Sequence, residues 1–325
     1  MPATPPNPAD ANPRFDLIAI GEAMVEFNQR DPAAPLFQRG FGGDTSNAAI
    51  AARRLGARVA YVTQVGDDGF GRDLLALWQS EGVTTEGVRV LAGADTGLYF
   101  VTHGPAGANT GHEFSYRRAG SAAARMTSGD LPRELLGRSQ WLHASGISLA
   151  ISASACDSVL EAMAIARAAG AKISFDLNFR PRLWPAARAL AMTRQVLADC
   201  DLFFPSVDEI EALTGLHEPD DIIDWAHAQG ARAVALKLGA RGCRVSVGSG
   251  GKRATLPGHA VTPVDATGAG DCFAGACLSQ LARGATLADA ARVANVAAAL
   301  STQGFGAVGP LPRAAELVRM GMVLA

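Results

Sequence analysis

The chain has 325 residues, 48% of them hydrophobic and 6% aromatic, enough for one large α/β core or a core with a smaller appendage. Lys and Arg number 29 against 31 Asp and Glu, a net charge of -2 with no basic run, which argues against nucleic acid or an anionic membrane surface as the main partner and favours small-molecule chemistry. Five cysteines (Cys156, Cys200, Cys243, Cys272 and Cys277) form no CxxC pair, so they read as reduced thiols of a cytoplasmic protein.

Residues 1–14, rich in Pro, Ala and Asn, lack a signal-peptide pattern and read as a disordered tail; no apolar run is long enough to span a bilayer. Phe15–Glu22 then reads as a buried parallel strand. Residues 25–39, with Pro32 and Pro35, suggest an edge strand and a loop that leave the main sheet. Gly40-Phe41-Gly42-Gly43-Asp44-Thr45-Ser46-Asn47 reads as a turn in front of an alanine-rich helix, where Asp44 and Asn47 are ordinary N-cap residue types. A strand at 58–65 and a helix at 69–82 set a βαβ rhythm. After Val90 two alternating runs, 97–103 and 112–118, flank a Gly/Pro/Asn loop and predict a hairpin. With residues 25–39 it would make a small sheet over the main one, a lid formed from about 25–39 and 96–118.

The rhythm resumes with strands at 140–145 and 171–176 around a helix at 152–169. The loop Leu177-Asn178-Phe179-Arg180-Pro181-Arg182 follows the carboxyl end of a parallel strand, where open α/β sheets bind ligands. A helix at 185–200, a strand at 201–204, strands at 233–238 and 243–247 around the tight turn Gly239-Ala240-Arg241-Gly242, helices at 268–283 and 287–301 and a final helix complete the chain. At Gly268-Ala269-Gly270-Asp271 a helix begins with little side chain in the way. Its free N–H groups and dipole favour an anion such as a phosphate. Asp271 is either a capping charge or a base that takes a proton from a hydroxyl.

In this order the features resemble the ribokinase-like (PfkB) carbohydrate kinases, from Phe15 to about Pro312, most specifically in Asp265-Ala266-Thr267-Gly268-Ala269-Gly270-Asp271. The resemblance implies a three-layer α/β/α core with a mostly parallel sheet and a small β-sheet lid. It implies Asp271 as the base and the N–H groups of Gly268, Ala269 and Gly270 as an anion hole for the moving phosphoryl group. It places Ser206, Lys237, Gly239, Gly242 and Asn295 against ATP. Glu209 would order Mg²⁺ through water, and Asp265 and Thr267 would lie near a K⁺ site. Ser206 stands where the family often has Asn.

Loops at 40–45, 97–99, 144–150 and 178–184 resemble the 2-keto-3-deoxygluconate kinases of that family. This implies Tyr99, Tyr116, Arg118 and Arg180 around a sugar acid, Gly43 and Asn47 on its hydroxyls, and transfer to its C6 hydroxyl. Arginine suits a carboxylate because its planar fork binds both oxygens. Rival readings are a kinase of fructose, ribose or a deoxygluconate, and a nonenzymatic sugar or nucleotide sensor. An oxidoreductase of the dinucleotide-binding kind is excluded, since no G-x-G-x-x-G follows the opening strand. The six histidines lack ligand spacing, so no bound zinc or iron is expected. The exposed edges of the lid would suit a homo-oligomer.

Overall fold

Alternate residues of a strand point to opposite faces, and in Phe15–Ile20 (β1) both faces are apolar. Leu17 and Ala19 enter one core cluster, Ile18 and Ile20 the other. Such a strand belongs inside a sheet covered by helices on each side. The structure, a computed structural model, describes residues 14–29, 31, 33–102 and 113–325.

The remaining strands are Met24–Gln29 (β2), Gln38–Gly42 (β3), Val59–Gly66 (β4), Thr84–Leu91 (β5), Leu98–Thr102 (β6), Glu113–Arg117 (β7), Ser139–Ser145 (β8), Lys172–Asp176 (β9), Leu202–Phe204 (β10), Ala233–Lys237 (β11), Gly242–Val247 (β12) and Arg253–Pro257 (β13). The large sheet has nine strands in the order β13-β12-β11-β10-β9-β8-β1-β4-β5. Every pairing from β11 to β5 is parallel, and β12 and β13 add antiparallel at one edge.

The helices are Asp44–Arg54 (α1), Gly69–Glu81 (α2), Arg133–Leu136 (α3), Gly146–Ala150 (α4), Ala153–Ala168 (α5), Ala186–Leu197 (α6), Val207–Thr214 (α7), Pro219–Ala228 (α8), Ala269–Leu281 (α9), Leu287–Ser301 (α10) and Ala314–Arg319 (α11). Apolar side chains of α1, α2, α9, α10 and α11 cover one face of the sheet. Those of α3 to α8 cover the other. Phe203 and Phe204, adjacent in β10, bury into the two layers in turn. The chain thus folds as the ribokinase-like three-layer α/β/α core with a mostly parallel sheet.

The lid is a separate four-stranded sheet in the order β3-β2-β6-β7. The hairpin read from alternation is present as antiparallel β6 and β7. One expectation differs: β2 is no edge strand but lies between β3 and β6, because residues 38–42, read as the approach to a turn, pair with it. Sequence reading also assigned neither β5, β13 nor α8. The expected tail, residues 1–13, and the loop 103–112 lie outside the described residues; Arg14 is tied to β8 through Ser139 O at 3.0 and 3.1 Å. Among the described residues no helix is long and apolar enough to cross a membrane.

Candidate active site

The carboxyl ends of β9 and β11, the first turns of α1 and α9 and the inner face of the lid border one cleft of about 1730 Å³. All the residues singled out from sequence line it except Asp265. The turns that open α1 and α9 depend on glycine. Gly43 has φ of 116°, and a Cβ there would lie 2.4 Å from the Glu22 carbonyl oxygen. Gly268, the N-cap of α9, has φ of 78°. Both are left-handed backbone that glycine adopts at little cost.

Asp271, in the first turn of α9, is held by two amides. Asn47 Nδ2 donates to its Oδ2 at 2.8 Å, and Asn178 Nδ2 to its Oδ1 at 3.4 Å. Asn178 also donates to Asp44 Oδ2 at 3.2 Å, so one side chain bridges two carboxylates. It reaches both from a left-handed backbone (φ 37°), the one such residue outside glycine among those described, with its N–H donated to Asp176 Oδ1. Asp271 opens onto the cleft but lies deep enough that loss of hydration, followed by the charge of Asp44, pushes its pKa up to about 7. A carboxyl tuned to that range can take a proton at neutral pH.

Lys237, at the end of β11, donates to both oxygens of Asp176 at 2.7 and 2.8 Å. Burial works against its charge, but the carboxylates of Asp176 and Glu209 outweigh it and hold its pKa above the ordinary lysine value. Burial pushes Asp176 up to about 6 against the pull of Lys237, which leaves the pair ionised at neutral pH. A Cβ on Gly270 would lie 3.4 Å from the Lys237 ammonium, so the glycine keeps the start of α9 open to it. Among the first-turn donors, Ala269 N–H is turned back to Ala266 O at 3.2 Å, whereas those of Gly270 and Asp271 have no backbone acceptor.

The lid residues arrive with partners of their own. Tyr99 donates its hydroxyl to Glu26 at 2.5 Å and stacks on Tyr116, ring centres 6.0 Å apart. Arg118 lies over the Tyr116 ring and against Glu22, Nε donating to Oε2 at 2.7 Å, and Ser121 Oγ donates to the other oxygen of the same carboxylate. Arg180 is exposed at the cleft, donates to Phe179 O, and has no carboxylate partner among the described residues. Sequence reasoning placed both arginines here but not Glu22, which neutralises one of them.

Three further residues serve as braces. Glu209 accepts Phe179 N–H at 3.1 Å and Ser206 N–H at 2.9 Å, stapling the loop after β9 to the start of α7. Asn295 donates to Leu256 O and Pro257 O, which fixes the end of β13 on α10. Asp265, buried behind the cleft, accepts Thr267 N–H and hydroxyl with one oxygen and Gly306 N–H with the other. Sequence reasoning missed Asp44, Asp176 and Asn178 as parts of the site. The signal for two of them was present: Asp-x-Asn stands where a parallel strand ends.

The profile of the pfkB family of carbohydrate kinases matches residues 14–314. The chain belongs to this family. Fructokinase-1 of Oryza sativa is 34% identical, with 94% of this chain and 97% of the relative covered. The 2-dehydro-3-deoxygluconokinase of Dickeya dadantii is 35% identical, with coverage of 91% and 97%. Among solved structures, a PfkB protein from Polaromonas sp. JS666 superposes with a TM-score of 0.83 at 32% identity, covering 94% of this chain and 99% of the other. A fructokinase from Xylella fastidiosa with bound ATP gives a TM-score of 0.82 at 26% identity, covering 94% and 98%. This chain is therefore a carbohydrate kinase, and the names of its relatives divide between a neutral sugar and a sugar acid.

Proposed function

We propose that the protein transfers the γ-phosphoryl group of ATP to the C6 hydroxyl of 2-keto-3-deoxygluconate, giving 2-keto-3-deoxy-6-phosphogluconate and ADP. The observation that carries the choice of a sugar acid is Arg180, a cation on the cleft wall with no carboxylate of its own. Asp271, oriented by Asn47 and Asn178, takes the hydroxyl proton as the oxygen attacks phosphorus. The N–H groups of Gly270 and Asp271, the α9 dipole and Lys237 face the charge that develops on the moving phosphoryl group. Ala269 N–H, turned back on Ala266, contributes through the turn it closes.

The turn at Gly239–Gly242 and the wall held by Asn295 line the part of the cleft assigned to the nucleotide, with Ser206 at its border. The residues fit Mg²⁺ through water: each Glu209 oxygen accepts one backbone N–H and keeps a second lone pair toward the cleft side. When bound, the ion shields phosphate charge. For a monovalent cation the fit is tighter, since Asp265 is closed in by Thr267 and Gly306; we propose K⁺ as a binder of that loop rather than of the cleft. We propose also that two copies associate through the lid, whose β2–β3 connection leaves Leu36 73% and Phe37 41% exposed.

A second reading, phosphorylation of fructose, draws on Arg118, whose charge Glu22 already answers, and on the fructokinase relative. A coupled assay for ADP over 2-keto-3-deoxygluconate, 2-keto-3-deoxygalactonate, gluconate, fructose and ribose decides between the two. Turnover of neutral sugars alone overturns the sugar-acid reading and leaves the Asp271 mechanism standing.

A further inference from the structure

The proposed reaction gives no task to Asp44. It is the first residue of α1, borders the cleft, and is 8% exposed. One oxygen, Oδ2, accepts from Asn178; the other, Oδ1, is buried and has no hydrogen-bond partner in the protein. An ionised carboxylate can only accept, and a buried acceptor left unmet is costly. Three residues on, on the same face of α1, Asn47 repeats the pattern. It is 3% exposed, its amide nitrogen is on Asp271, and its Oδ1 is buried and unmet. Two acceptors thus stand beside the base, and both ask for a donor that the chain does not supply. Lys237 does not answer them, since its ammonium lies on Asp176.

We infer that Asp44 is a specificity-determining residue: with Asn47 it accepts hydroxyl groups on the carbons next to the one that is phosphorylated. The acceptor substrate is then a polyol that must carry a free hydroxyl there, and a deoxy compound is rejected because it leaves a buried carboxylate unmet. This rests on Asp271 acting as the base, but not on the sugar being an acid.

The test measures kcat/KM for the substrate that the panel shows to be turned over best, and for its analogues lacking the hydroxyl one or two carbons from the transfer site. Wild type, Asp44→Ala and Asp44→Asn are compared. The asparagine variant keeps the fold, because its amide oxygen can still accept from Asn178; its NH₂ group then faces the cleft, a donor where an acceptor was. Loss of one of the two hydroxyls is expected to lower wild-type kcat/KM by about 100-fold, the kind of discrimination shown by sites built around a hydroxyl. In both variants the parent substrate falls to within about three-fold of that analogue. A deoxy penalty that survives unchanged in either folded variant overturns the inference, as does a wild type indifferent to both hydroxyls. Failure of the sugar-acid reading appears elsewhere, as activity confined to neutral sugars, and the same comparison then proceeds on that sugar.

Discussion

At the scale of single residues, Asp271 is distinguished by its companions, two amides and a nearby carboxylate. Its pKa near 7 predicts that kcat/KM rises with pH through about 7, as the base loses its proton, and that Asp271→Asn abolishes this limb along with about 10²–10⁴ of the rate while ATP binding is kept. Stability has the opposite slope. A carboxyl whose folded pKa is raised favours folding below its unfolded value, and that contribution is lost as pH rises through about 7, so Asp271→Asn is expected to melt higher than wild type at pH 8.

The two arginines separate by their partners. Arg180→Ala should raise KM for a sugar acid by roughly 1.5–3 kcal/mol of lost charge-assisted bonding, leaving neutral sugars unaffected. Arg118→Ala should lower the melting temperature as well, because it strands the buried Glu22. Equal kinetics of Arg180→Ala and wild type on the sugar acid would remove the carboxylate argument. Asp271 was legible in the sequence because its turn has an ungapped signature. Asp44, Asp176 and Asn178 were not, since an acid at a helix start or strand end also caps, and only contacts across 134 and 93 positions show otherwise.

At the scale of elements, strands and helices with strong periodicity emerged close to their bounds. The hairpin β6–β7 and helix α10 are clear cases. Errors gathered where polarity hides pairing. β3 reads Gln-Arg-Gly-Phe-Gly and is exposed along most of its length, so no alternation announced it, and without it β2 seemed to be an edge. α7 is short, and its start is fixed by a reciprocal capping box between Ser206 and Glu209. Glu209 therefore does two things, and Glu209→Ala is expected to raise the Mg²⁺ concentration needed for half-maximal rate and to loosen the loop at Phe179, read as faster amide exchange there. An unchanged Mg²⁺ response would confine Glu209 to bracing.

At the scale of the whole molecule, the βαβ rhythm made the core legible, and its interruptions marked the lid. What no local pattern could show is how the lid is fastened. Self-association through it predicts that Phe37→Ser shifts the particle toward the monomer in light scattering; an unchanged mass would place any association elsewhere. The fastening itself is the Glu22–Arg118 pair, which joins the residue after β1 to the residue after β7, both nearly without water. Swinging the lid away would have to rehydrate two charges, and that price falls on departure of the products rather than on the transfer itself. The enzyme would then be held back after its chemistry is done, with rapid-quench experiments showing a first-turnover burst that Glu22→Gln flattens.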